Sequence, residues 1–147
     1  LIDNVVQLKK SKRIDVMPVV DGSQIEIERA VKLLEPSSNR TKNTSTEDVL
    51  TEIVRQQCLL WTVKIEDTLV AAFTTCVLKH PQRKTLLIEH MGGIDMKQWM
   101  HHALRILKEV AVKGNLDAIE AEGRIGFAKL AQPNGFKETH RHYELEI

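Results

Sequence analysis

The apolar positions of this 147-residue chain change period several times, and each change marks an element boundary. Residues 14–20, mostly apolar or β-branched, predict a first strand. Asp21-Gly22-Ser23 supplies turn and N-cap chemistry, and Ile27, Ala30, Val31 and Leu34 recur at helical spacing, so a helix is expected over 24–34 with Pro36 as its stop. Residues 37–44 are polar and aperiodic, which predicts an exposed loop. Thr46, followed by Glu47-Asp48, predicts the cap of a second helix whose buried stripe is Val49, Leu50, Ile53 and Val54.

Beyond that helix the pattern becomes extended. Residues 59–65, 68–78 and 84–90 predict three strands, and the gaps at 66–67 and 80–83 have the length of tight turns, as in an antiparallel meander. A long helix is predicted over 96–113, with Trp99, Met100, Ala103, Leu104, Leu107 and Val110 on one side, Lys97, Arg105, Lys108 and Glu109 on the other, and Gly114-Asn115 as its end. A short strand at 118–121, a short helix at 127–130 and a closing strand at 141–147 complete the order β-α-α-β-β-β-α-β-α-β. That order implies an α+β (mixed α/β) fold, with helices on both faces of one sheet.

At 42% hydrophobic content the chain suits one domain over 1–147, with residues 1–13, including the basic run 9–13, as a loosely ordered lead-in. Twenty-one Lys and Arg against twenty Asp and Glu give a net charge of +1, so no global field favours nucleic acid or an anionic membrane. The apolar runs fall far short of the roughly 20 residues that cross a bilayer, and the start lacks a charged-then-apolar signal pattern, so a cytoplasmic protein is expected. Cys58 and Cys76 lie in apolar surroundings and read as small buried hydrophobes. His140 and His142 share one strand face, but no third ligand at zinc spacing accompanies them, and His101 and His102 point about 100° apart on a helix, so no metal is expected.

The last quarter carries the most specific pattern. Ala118-Ile119-Glu120-Ala121-Glu122-Gly123-Arg124-Ile125-Gly126-Phe127 runs into Leu130-Ala131-Gln132-Pro133-Asn134-Gly135-Phe136-Lys137-Glu138 and closes on His140-Arg141-His142-Tyr143-Glu144-Leu145. With the preceding element order, this resembles the GNAT N-acetyltransferase superfamily from Ile14 to Ile147. The resemblance implies a central, mostly antiparallel sheet and acetyl-CoA lying where the fourth strand and the following helix splay from the fifth strand. Backbone of residues 85–88, Ile88 among them, and of 118–121 would then hold the cofactor, and residues 37–44 would shape the acceptor site.

The family's chemistry is incompletely matched. Its phosphate loop, Arg/Gln-x-x-Gly-x-Gly/Ala, aligns with Asp95, Gln98 and Met100, which supply neither the basic residue nor the glycines. Gly92-Gly93 lies just before; it is either a strand-to-helix turn with Asp95 as N-cap, or an anion site offering the N–H groups of Gly92, Gly93 and Ile94. The family's general-acid Tyr aligns with Ala131, and Phe127 and Phe136 read as core residues pinning the short helix. Glu89, on the fourth strand where some relatives carry a general base, is the catalytic candidate, against the alternative of a strand-edge carboxylate. His90 follows it, and strand alternation would let only one of the two face the cleft. Glu120 and Glu122 share a face, as a second acidic site or a solvent-side pair. Arg124 either binds a phosphate or acyl group or ties the join to Glu120 or Glu122.

Glu122-Gly123-Arg124-x-Gly126-Phe127 further resembles divergent GNAT-like proteins of tailed phages. Two functions follow from the resemblance: acetyl transfer from acetyl-CoA to a small-molecule or protein amine at a degenerate cofactor site, or an inactive binding or assembly module with protein partners in a phage particle. The second would place the protein in the host cytoplasm or the virion.

Overall fold

A computed structural model describes residues 11–40, 42–123 and 127–147. Its elements are β1 (Ile14–Pro18), α1 (Gln24–Leu33), α2 (Glu35–Ser38), α3 (Thr46–Val54), β2 (Leu59–Ile65), β3 (Thr68–Lys79), β4 (Lys84–Gly93), α4 (Met96–Lys113), β5 (Ala118–Ala121) and α5 (Ala128–Ala131), which leads into a 3-10 turn at Gln132–Asn134. The five strands form one sheet in sequence order: β1 to β4 pair antiparallel and β4 pairs β5 in parallel. The α+β sheet architecture expected from the pattern is therefore present. Among the described residues no helix is long and apolar enough to cross a membrane.

Alternation in the strands divides the core between two faces. On one, Trp99, Met100, Ala103, Leu104 and Leu107 of α4 pack over Val16, Trp61, Val63, Phe73, Leu86 and Ile88. Trp61, Phe73 and Trp99 stack in series with centroids 5.7 and 6.2 Å apart. Their polar edges are satisfied, since Trp61 Nε1 donates to Thr75 Oγ1 and Trp99 Nε1 to the Ile94 carbonyl, each at 2.9 Å. On the other face Ala30 and Leu34, together with Val49 of α3, cover Leu60 and Ala72.

Several boundaries differ from those the sequence predicts, each for a local reason. Pro36 does not lead into an exposed loop; it occupies the first turn of α2, where its missing N–H costs nothing. Ser38, expected in that loop, is buried and bonds the Glu35 carbonyl and Thr46 Oγ1. The cap of α3 is Ser45 rather than Thr46, in a reciprocal capping box with Asp48. β4 runs on to Gly93, because Gly92 and Gly93 continue the ladder opposite Ala72 and Ala71. Asp95 does sit at the N-cap of α4, but at φ 60° it makes no side-chain cap bond.

The expected strand at 141–147 is absent: residues 137–147 are exposed and carry no helix or strand, and β5 is the edge of the sheet among the described residues. Side-chain ties of the segment 137–147 include Lys42 Nζ to Glu146 and Arg141 to Glu138, each at 2.7 Å. An alternating pattern yields a strand only when an edge receives it.

Gly92 is required by packing rather than by a turn. A Cβ there would stand 1.9 Å from the Leu33 carbonyl oxygen, so the end of α1 lies directly on the β4 backbone. Gly92→Ala is expected to destabilise the fold by about 1–3 kcal/mol or more. Gly114→Ala, whose added Cβ meets its nearest neighbour at 3.4 Å, is expected to stay within about 0.5 kcal/mol of the parent. Equal denaturation midpoints for the two variants would overturn the close approach. Tyr143→Ser, on the exposed C-terminal segment, is likewise expected to leave the midpoint within about 0.5 kcal/mol; a large loss would mean that the segment is packed.

Candidate active site

The pairing of β4 sets the site. Along one edge it pairs β3 from Lys84 to Gly93; along the other it pairs β5 only from Thr85 to Ile88. Residues 89–93 therefore run on past the last β5 partner, Ala121 opposite Ile88. At this point the β3 register shifts: Thr75 lies opposite Ile88 and Thr74 opposite His90, so Glu89 is the surplus residue of a β-bulge. The bulge cancels one step of alternation. Glu89 and His90, expected on opposite faces, point the same way, with Glu89 Oε1 3.7 Å from His90 Nε2.

Elements on that face close a polar cluster. Glu52 of α3 brings a carboxylate oxygen into a group with Glu89 and His90 whose ligand-type atoms all lie within 4.8 Å of one another. Cys76 of β3 places Sγ 3.9 Å from Glu89 Oε2, and Ser37 of α2 places Oγ 3.4 Å from His90 Nδ1. Burial raises the Glu89 carboxyl above its usual range and Glu122 adds repulsion, against a smaller opposing effect of the Cys76 thiol. The Glu52 carboxyl is raised by burial first and by Glu89 second. His90 is lowered, chiefly by burial, with Glu52 and Glu122 opposing and Arg40 assisting. Its Nε2 is buried and has no hydrogen-bond partner.

Both cysteines are free. Burial, with the nearby carboxylates, pushes Cys58 up to about 12 and Cys76 to about 11, so neither is a thiolate nucleophile at neutral pH. Cys58 is buried as expected, but Cys76 is only half-buried and belongs to the polar cluster.

The other predicted positions are distributed around this centre. Ile88 turns its side chain into the α4 core, while its backbone closes the β4–β5 ladder. Ile94 donates its N–H to the Val70 carbonyl at 2.9 Å, which leaves that group engaged. Gly93 adopts φ 128° against Ala71, with no room for a side chain. Glu120 lies away from Glu89: its Oε2 accepts from Thr85 Oγ1 and meets His80 Nε2 at 2.8 Å, and these bonds, Thr85 first, lower its pKa. Arg124 falls outside the described residues.

At the start of α4, Met100 is buried in the core and Gln98 is exposed, so the positions aligned with loop glycines carry side chains built into the helix. The chain's single tyrosine, Tyr143, is 83% exposed, and Ala131, aligned with the family's Tyr, is buried. Glu52 was not among the residues the pattern singled out. On α3 it reads as an ordinary polar residue beside an apolar stripe, and only the tertiary fold turns it toward β4.

No protein-family model matches this sequence, and no curated protein does. Solved structures do. An aminoglycoside N-acetyltransferase in complex with CoA superposes with a TM-score of 0.67 at 9% identity, covering 95% of this chain and 98% of that one. Glucosamine-6-phosphate N-acetyltransferase from Arabidopsis thaliana gives 0.64 at 12% identity over 91% and 98%. An aminoglycoside acetyltransferase from an uncultured soil metagenomic sample, in complex with trehalose, gives 0.64 at 11% identity over 90% and 97%. Identities this low speak for architecture alone, and with the five-strand sheet order they show that this chain has the GNAT acyl-CoA N-acyltransferase fold.

Proposed function

We propose that this protein is an acyl-CoA-dependent N-acetyltransferase acting on a small-molecule amine, with Glu89 as general base. The observation that carries the reading is the bulge that lifts a half-buried carboxylate out of the ladder where β4 leaves β5. The fold supports it, as do structural neighbours that are acetyltransferases of aminoglycosides and of glucosamine-6-phosphate.

The two ends of the cleft fit acetyl-CoA unequally. The edge of β4 over residues 89–93, without a β5 partner, suits an extended amide-bearing pantetheine. The start of α4 suits the pyrophosphate poorly, because Asp95 places a carboxylate at the helix start and Ile94 has already committed its N–H. When bound, acetyl-CoA supplies a thioester carbonyl carbon open to attack by an amine. Glu89, whose carboxyl burial raises above its usual range, would accept the amine proton as the nitrogen–carbon bond forms and the carbon–sulfur bond breaks. With Ala131 at the position aligned with the family's general-acid Tyr, this chain would supply no side-chain proton to the departing thiolate from that position. His90 and Glu52 stand beside Glu89, while the groups that set its acidity besides burial are Glu122, which raises it, and the Cys76 thiol, which lowers it.

A second reading is favoured by those same departures at Asp95, Met100 and Ala131: a GNAT fold kept for binding or assembly, as in a phage particle, without turnover. Acetyl-CoA binding separates the two. The enzymatic reading expects calorimetric binding with a dissociation constant near 100 µM, about −5.5 kcal/mol, and acetyl transfer to at least one member of a panel of polyamines, amino sugars and aminoglycosides. An absence of binding at millimolar cofactor would leave the assembly reading. In chelator-treated buffer, Glu89→Gln is expected to lower kcat by about 100-fold or more with cofactor affinity unchanged, since a base acts in the transition state. An unchanged kcat would remove Glu89 from the mechanism.

A further inference from the structure

The polar cluster has a property that acetyl transfer does not use. Two carboxylates and an imidazole converge from two elements, β4 and α3, and the buried imidazole nitrogen facing them, His90 Nε2, is without a hydrogen-bond partner. The His90 side chain is only 10% exposed, so an unmet lone pair or N–H there carries a desolvation cost that some ligand would relieve. The 3.7 Å between His90 Nε2 and Glu89 Oε1 is too long for a hydrogen bond. It is close to the spacing of two ligands on one ion, because nitrogen and oxygen atoms each about 2.1 Å from a tetrahedral zinc stand about 3.4 Å apart.

We propose that Glu52, Glu89 and His90 form a binding site for a divalent transition-metal ion of the zinc class, held by one imidazole nitrogen and two carboxylates with a fourth position open. The mixed nitrogen and oxygen donor set suits zinc, cobalt or nickel and disfavours magnesium or calcium, which take oxygen ligands. His90 is already oriented for this task, since Ser37 Oγ stands 3.4 Å from Nδ1 and fixes the ring from behind. The bulge holds Glu89 beside it. Glu52 reaches in from the half-buried face of α3, with its carboxylate oxygen within 4.8 Å of the other two ligand atoms, and its flexible side chain has to close by up to about 1.4 Å to reach ligand spacing.

Bound there, the ion occupies the Glu89 lone pair that would accept a proton, so metal binding and the base role exclude each other. The site nonetheless stands on its own geometry, whether or not the chain transfers acetyl groups.

The test is a titration of the tag-free, chelator-treated full chain with Co2+, read by visible absorption, with the Zn2+-dependent shift in melting temperature as a second readout. One equivalent of saturable binding is expected. His90→Ala should weaken it by about tenfold or more, Glu52→Gln should weaken it measurably, and the double variant His140→Ala/His142→Ala should leave it unchanged. If His90→Ala does not fold, Glu52→Gln on α3 decides alone. No saturable binding, binding undiminished in the Glu52 variant, or binding lost with the exposed His140 and His142 would overturn the proposal.

Discussion

One surplus residue in β4 organises the functional half of this molecule. Regular antiparallel pairing would send Glu89 and His90 to opposite faces, one into the α4 core and one toward α3. The bulge opposite Thr74 and Thr75 puts both on the α3 side, while Ile88 before it and Met91 after it still pack against the α4 core. A core that stays in register on both sides of an irregularity is what lets a sheet carry two adjacent polar groups on one face. The parallel ladder to β5 ends at Ile88, just before the bulge, so the polar pair stands immediately beyond the last β4–β5 pair.

The surrounding packing keeps this arrangement rigid. On the α4 face the Trp61, Phe73 and Trp99 stack anchors β2, β3 and the helix start together, and the Trp99 indole holds the Ile94 carbonyl at the far end of β4. On the opposite face Gly92 lets the end of α1 rest on the strand, which brings α2, with Ser37, up to His90. The Ser38 to Thr46 bond joins α2 to the start of α3, the helix that delivers Glu52. Ser37 and Ser38, expected in an exposed loop, thereby tie α2 to β4 and α3 beside the polar cluster.

Much of the fold was legible because it rests on period and punctuation. The stripes of α1 and α4, the Ser23 cap and the meander of β2 to β4 follow from spacing alone. Glu89 was legible only through the resemblance, and its geometry was not, because a bulge is a property of the register between two strands and leaves no mark on one of them. Gly92-Gly93 looked like a turn, since a glycine pair signals open backbone equally well when a neighbouring chain needs the space. Residues 141–147 alternate like a strand but pair with neither outer strand of the sheet, β1 or β5. Glu120, paired by sequence with Glu122, is instead captured by Thr85 and His80.

The central claim is that the bulge places His90 in one electrostatic group with Glu52. A double-mutant cycle on unfolding free energy tests it directly, using Glu52→Gln, His90→Gln and the two combined. A shared cluster predicts non-additivity of about 0.5–3 kcal/mol. Additivity within about 0.3 kcal/mol would show that the two side chains do not meet, and would contradict the account of β4 on which the site depends.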